Sequence, residues 1–326
     1  MSGVGRVVVV AGGLSPERDV SLRSGRRVAE QLRSTGVEVA ELDADHRLLE
    51  SLAADLPAAV FPVVHGRSGE DGSLGEVFEL LDLPYVGSRP GPSRLAWDKP
   101  VARLLASWAT VDGERIAVPA GAAVPEQAFR DLGAHAVLDA LVARLGLPLV
   151  VKPDRAGSSQ GTTVVTDVSA LPEAMVECFG YGSVAQVERF VTGAEVAVTV
   201  LEDEAGPRVL PVVEIVPDGG RYDYDARYSA GITEFFVPAR LPAPVLSRCS
   251  AVAVAVHTAL GLRDLSRTDL IVDADGVPWF LEVNVSPGLT ETSLVPQSLL
   301  SDGLDLGVTY RALVSRAIER LAPVPA

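Results

Sequence analysis

Asp275-Gly276 lies between two apolar runs, Leu270-Ile271-Val272 and Trp279-Phe280-Leu281, which places a β-hairpin over Leu265–Val285. Centred between those two residues, a two-residue loop sets Asp269 opposite Glu282, Arg267 opposite Asn284 and Ile271 opposite Phe280. All six share one face, because strand side chains alternate. Two carboxylates about 5 Å apart repel by roughly 3 kcal/mol at an effective dielectric near 20, so such a face requires a cation. Mg²⁺ answers that need. It takes carboxylate and amide oxygens and commonly shares its shell with nucleotide phosphates, and Asn284 offers a neutral third oxygen. A solvated hairpin face is the competing reading, and the flanking apolar runs argue against it.

The rest of the chain predicts an α/β (α+β) fold in three segments. In residues 1–94, the run Val7–Val10 closed by Gly12-Gly13 reads as a buried parallel strand. A helix from Ser15-Pro16-Glu17 to Thr35, strands at Val37–Leu42 and Ala58–Val64, a short helix after Ser73 and a strand near Tyr85-Val86 complete a Rossmann-like βαβ unit. In residues 95–183, helices over Trp97–Trp108, Phe129–Leu145 and Pro172–Cys178 accompany strands Leu147–Lys152 and Thr162–Thr166 around a loop of Gly and Ser. Residues 184–326 open with strands Val184–Phe190, Glu195–Leu201 and Val209–Val216. An irregular stretch, a helix at Val245–Leu260, the hairpin and a final helix near Val308–Leu321 follow.

Lys+Arg 28 against Asp+Glu 43 leaves a net charge of −15, which disfavours nucleic acid and anionic membranes, and no basic run offsets it. No stretch is long and apolar enough for a membrane span, and no signal-peptide pattern precedes the first strand. Cys178 and Cys249 are too isolated for a disulfide framework or a cysteine zinc site, so a reducing cytoplasm is expected. Lys99 and Lys152 are the only lysines among the 28 basic residues. A compact ammonium reaches a phosphate oxygen without the planar demands of guanidinium, although chance retention explains the pair equally well.

Three loops and one helix start admit two readings each. Lys152–Thr162 is an anion cradle or an ordinary turn; neither the P-loop nor the dinucleotide fingerprint is present. Glu17 caps a helix or binds a ligand, and His65, opening the glycine-rich stretch His65–Gly72, is a satisfied core histidine or part of a site at the carboxyl edge of a sheet. Arg221–Tyr228 is a lid or a polar surface loop.

Taken in order, Gly12-Gly13…Ser15…Glu17-Arg18, His65-Gly66…Gly69-Glu70-Asp71-Gly72, Asp98-Lys99, Lys152-Pro153…Gly157-Ser158-Ser159, Tyr222-Asp223-Tyr224…Tyr228, Arg267…Asp269 and Glu282…Asn284…Ser286-Pro287-Gly288…Thr290…Ser293-Leu294 resemble the D-alanine–D-alanine ligases of the ATP-grasp superfamily. The resemblance spans nearly the whole chain. It implies ATP as co-substrate, an acyl phosphate intermediate, D-alanyl-D-alanine as product and a homodimer. It assigns Asp269, Glu282 and Asn284 to two Mg²⁺ ions, replaceable by Mn²⁺. Lys99, Lys152, Ser158, Ser159 and Arg227 fall to the phosphates, and Glu188, Arg189 and Glu195 to adenine and ribose. Glu17 and His65 would meet the first D-alanine, Glu17, Ser158 and Tyr228 would order a lid, Arg267 and the Gly288 N–H would form the oxyanion site, and Ser293 and Leu294 would take the second carboxylate. Relatives that make D-alanyl-D-lactate carry a histidine in the lid. None occurs between His135 and His257, so the resemblance favours an amine nucleophile. An ATP-grasp ligase for other amino acids and a silent nucleotide-binding relative are the alternatives.

Overall fold

The computed structural model describes residues 4–219 and 231–321. The valine run becomes the middle strand of a parallel sheet, Val39–Asp43, Val7–Ala11 and Ala59–Pro62 in spatial order, with Val7–Ala11 wholly buried. Its unbroken apolarity follows from being covered on both faces. Val7 and Val9 pack with Val28 and Leu32 of helix Arg18–Ser34 and with Tyr310 and Leu313 of the final helix, Leu306–Leu321, while Val8 and Val10 meet Leu52 and Phe78. The strand expected near Tyr85-Val86 is reduced to one bridge, Val60 to Tyr85.

A second, antiparallel sheet runs Gly121–Pro125, Val184–Arg189, Leu149–Pro153, Thr163–Val165. Val184–Arg189, expected to open the third segment, belongs here: alternation marks a strand but does not say which neighbour it pairs with. Its Ala185 and Val187 share a core with Leu149, Leu171 and Met175. The single helix expected over Phe129–Leu145 is two, Glu126–Asp131 and Ala134–Leu145, parted at Gly133.

The third sheet runs Thr233–Phe236, Val213–Pro217, Ala194–Asp203, Leu265–Val272, Pro278–Asn284, with Gly206–Val209 also paired to Ala194–Asp203. Helix Ala243–Ala259 packs on it, and so does helix Lys99–Trp108 through Ala102 and Ala106. The latter helix, expected from Trp97, begins at Lys99 because Asp98 caps it, Oδ1 accepting the Val101 N–H at 3.1 Å. Pro90–Trp97 is a separate helix.

In the hairpin, Asp269 faces Glu282 and Arg267 faces Asn284 as expected, but Ile271 pairs with Trp279, not Phe280. The connection is five residues, Asp273–Val277, tied by Asp273, whose Oδ1 accepts the N–H groups of Asp275 at 3.0 Å and Val277 at 2.9 Å. That odd length shifts the pairing near the turn, and an extra residue at Leu281 restores it beyond.

Fully buried Asp264 joins the first and third sheets. It accepts two bonds from Arg320 of the final helix, at 2.6 and 2.8 Å, and one from the Gly87 N–H at 2.7 Å. This fixes the hairpin against the carboxyl ends of the parallel strands.

Candidate active site

Two cavities meet at the hairpin. The larger, about 540 Å³, lies between the second and third sheets and is within the usual size range for ligand pockets. The smaller, about 80 Å³, is lined by residues of the first sheet's loops and of the hairpin. Lys99, Ala156 and Glu282 border both.

Asp269 lines the larger cavity, Arg267 and Asn284 the smaller, and Glu282 both. The opposed acids do not need a metal to coexist, because each already holds a protein cation. Arg267 donates to Asp269 through Nε at 2.7 Å and a terminal nitrogen at 2.8 Å, and Lys99 Nζ is 3.2 Å from Glu282. Asn284, its amide oriented to satisfy both neighbours, accepts from Arg267 at 2.8 Å and donates to Glu70 at 3.2 Å. Among the described residues no three His, Cys, Asp or Glu side chains form a metal cluster. Two carboxylates at a nucleotide-sized cavity, with an amide oxygen beside them on the same hairpin face, nevertheless suit Mg²⁺, which usually completes its shell with phosphates and water.

In the larger cavity, Lys152 Nζ sits 2.8 Å from Glu188, both nearly buried. Glu188 also has Arg103 at 3.7 Å and accepts from Gln186, two partners the sequence reading missed because they lie on a distant helix and two positions along its own strand. Arg189 lines the same cavity while its Nε donates to the Leu145 carbonyl at 3.0 Å, and Glu195 lines it from strand Ala194–Asp203 of the third sheet.

The Gly/Ser loop is clasped onto both neighbours. Lys99 Nζ donates to the Ala156 carbonyl at 2.5 Å, Arg155 reaches Asp98 at 2.7 Å, and Ser158 Oγ donates to Glu17 at 3.1 Å. Ser158 and Ser159 sit at φ 52° and 57°, a left-handed conformation that costs an L residue about 1–2 kcal/mol. Glu17 is buried between this loop and Gly66: a methyl built on Gly157 would come within 2.5 Å of one carboxylate oxygen and one on Gly66 within 2.7 Å of the other.

His65 Nδ1 is 3.0 Å from the Ser286 carbonyl, so that nitrogen carries the proton, and buried Nε2 has no hydrogen-bond partner among the described residues. Burial lowers its pKa to about 4, against the pull of the Ser286 carbonyl and aided by Arg267. The sequence reading gave Glu70 no role, yet it is buried in the same cavity. Burial raises it to about 8, the Gly66 N–H opposing and Glu17 reinforcing.

The histidine makes a pH prediction. Below its ordinary value of 6.5 the unfolded chain takes a proton that the folded chain refuses until about 4, so the fold loses stability as pH falls through that window, by up to about 1.4 kcal/mol per pH unit. Urea unfolding of wild type and His65→Gln between pH 7 and 4.5 should show a steeper acid loss in the wild type. Parallel profiles would refute the buried neutral imidazole.

Gly288 lines the smaller cavity, and Ser293 lies against it, its Oγ accepting the Thr290 N–H at 3.0 Å at the start of helix Leu294–Ser301. The Leu294 side chain is buried with Ala197 and Val213. Ser293 and Leu294 line neither cavity. Arg227 and Tyr228 fall outside the described residues.

Residues 116–319 match the family model described as the D-ala D-ala ligase C-terminus, and residues 45–88 the one described as the D-ala D-ala ligase N-terminus. A D-alanine–D-alanine ligase of Bordetella petrii is 40% identical over 314 residues, 96% of this chain and 92% of that protein. One from Desulforudis audaxviator is 37% identical over 97% of this chain and all of its own. Among solved structures, the D-alanine–D-alanine ligase of Bacillus anthracis complexed with ATP superposes with a TM-score of 0.81 at 26% identity, covering 98% of this chain and 99% of that one. The VanG D-Ala:D-Ser ligase of Enterococcus faecalis gives 0.80 at 28%, covering 96% and 99%.

Proposed function

The chain belongs to the D-alanine–D-alanine ligase family, with its ATP-grasp fold, and on that premise we propose that it joins two D-alanines at the expense of ATP for peptidoglycan precursor synthesis. The observation that carries this reading is the meeting of a nucleotide-sized cavity and an amino-acid-sized one at Lys99 and Glu282.

The first D-alanine's carboxylate attacks the γ-phosphorus. A carboxylate oxygen–phosphorus bond forms as the bond to ADP breaks, giving an acyl phosphate. The amine of the second D-alanine then attacks the acyl carbon, a peptide bond forms, and phosphate and a proton leave.

Glu17, held by Ser158, receives the first substrate's ammonium, and neutral His65 faces it across the small cavity. Lys99 and Lys152 hold phosphates, with Ser159 above them and Arg227 completing the set. Glu188, Arg189 and Glu195 take the adenine and ribose side, and Tyr228, outside the described residues, is assigned with Glu17 and Ser158 to ordering a lid. Arg267 and the Gly288 N–H stabilise the oxyanion that develops at the acyl carbon, a preorganised electrostatic role. Ser293 and the Leu294 N–H bind the second carboxylate.

Asp269, Glu282 and Asn284 would hold two Mg²⁺ ions, which Mn²⁺ could replace. When bound, these neutralise charge on the transferring phosphoryl group. Lys99 and Arg267, already paired with the two acids, keep the site balanced as nucleotide arrives. A clasped Gly/Ser loop supports exclusion of water from the acyl phosphate. We place the enzyme in the cytoplasm as a homodimer. No described helix is long and apolar enough to cross a membrane, and the charge of −15 disfavours nucleic acid as a partner.

Purified protein with ATP, Mg²⁺ and D-alanine should yield the D-alanyl dipeptide by mass spectrometry, with one phosphate released per dipeptide. D-serine, D-lactate and L-alanine in parallel reactions define the second substrate. Phosphate release with another amino acid pair, and none with D-alanine, would overturn the assignment.

A further inference from the structure

Glu70 takes no part in the chemistry above, yet both its oxygens are committed. Oε1 accepts the Gly66 N–H at 2.8 Å and Oε2 lies 3.2 Å from the Asn284 amide. We propose that Glu70 is a positioning residue that fixes which end of the Asn284 amide faces the metal side of the site. The inference rests on the reading of Asn284 as a metal ligand.

Donors and acceptors decide the orientation. A guanidinium only donates, so Arg267, 2.8 Å from one end of the amide, demands oxygen there. The amide nitrogen therefore points away, and the group it meets must accept. Oε2 of Glu70 is that acceptor, whatever the protonation of the carboxyl elsewhere. The result is an Asn284 oxygen held on the face that carries Asp269 and Glu282, the side where hard-cation donors are needed. Groups behind a ligand that set its orientation commonly matter to metal affinity almost as much as the ligand.

Glutamine cannot replace this arrangement. With its oxygen on the Gly66 N–H, its amide nitrogen confronts the Asn284 nitrogen, donor against donor. The conflict resolves only if the Asn284 amide inverts and presents nitrogen to Arg267 and to the metal side, or if the Gly66 bond is given up. Adding Asn284→Asp removes the conflict: one oxygen of the new carboxylate accepts from the introduced glutamine while the other still faces Arg267.

The test uses Mn²⁺ binding, followed by electron paramagnetic resonance in the presence of a non-hydrolysable ATP analogue, in wild type, Glu70→Gln and Glu70→Gln/Asn284→Asp. Glu70→Gln should weaken Mn²⁺ binding about 10–100-fold with the thermal unfolding midpoint little changed. The double variant should recover most of that loss. Wild-type Mn²⁺ affinity in Glu70→Gln, or a folded double variant as weak as the single, overturns the proposal. Should Glu70→Gln fail to fold, the double variant decides alone, and its failure to fold also counts against the proposal, since its hydrogen bonding is complete. Dipeptide synthesis by the wild type is measured alongside: if it proceeds while the variants leave Mn²⁺ binding untouched, only the role of Glu70 falls, and if it is absent the ligase reading falls first.

Discussion

Asp269→Asn should lower kcat/KM for D-alanine by about 10³-fold while the protein stays folded, measured by coupled phosphate release at saturating ATP. The carboxylate does two things that an amide of the same shape cannot. It accepts two hydrogen bonds from Arg267, at 2.7 and 2.8 Å, which hold the guanidinium flat against the hairpin face. An amide offers one oxygen and turns its NH₂ toward a donor, so one bond becomes a clash of protons and the guanidinium leaves the position from which it would meet the oxyanion. The substitution also deletes one of the two opposed charges, that facing Glu282, on the face where the proposed phosphates would sit. The residue is only 4% exposed, so water cannot readily replace the lost partner. A variant within tenfold of wild type would remove Asp269 from the reaction and leave the hairpin face without a part in phosphoryl transfer.

How far this site is legible in the sequence can be judged from the same hairpin. The opposition of Asp269 to Glu282 and of Arg267 to Asn284 matches the reading centred on the turn dipeptide, but only because the extra residue at Leu281 offsets the odd, five-residue connection. The pairing of Ile271 does not, because Asp273 lengthens the turn by side-chain hydrogen bonds and Leu281 compensates, and neither leaves a periodic mark. The need for a cation is also legible, though not its identity: Lys99 is 183 positions from Glu282, and only the packing of its helix on the third sheet brings it to 3.2 Å. Glu70 illustrates the same limit. It stands inside a glycine-rich motif that points to a site, but its role depends on Asn284, a contact made when the first sheet docks on the third through Asp264 and Arg320. Local elements such as Val7–Ala11 and helix Ala243–Ala259 are written in composition and period. Sheet membership, as for Val184–Arg189, and long-range ion pairs are not.

Gly157→Ala tests the other half of the site, with an expected loss of about 10²-fold in kcat/KM for D-alanine. Its methyl would lie 2.5 Å from Glu17 Oε1, the oxygen that accepts from Ser158 at 3.1 Å. Glu17 is 5% exposed and is held by Ser158, so moving away from the new methyl takes it off that partner. Either the carboxylate shifts by roughly an ångström or the loop lifts, and both separate Glu17 from Ser158; misplacement on that scale costs about two orders of magnitude when a group must orient a reactant. Shortening the acid relieves the clash, so Gly157→Ala should cost much less in a Glu17→Asp background than in the wild type. Such a coupling is expected of groups in contact or in one hydrogen-bond network, and not of distant, independent sites. Additive losses, or a Gly157→Ala enzyme within threefold of wild type, would mean that the carboxylate is not fixed between the loop and Gly66, and Glu17 would lose its place as the partner of the first substrate's ammonium.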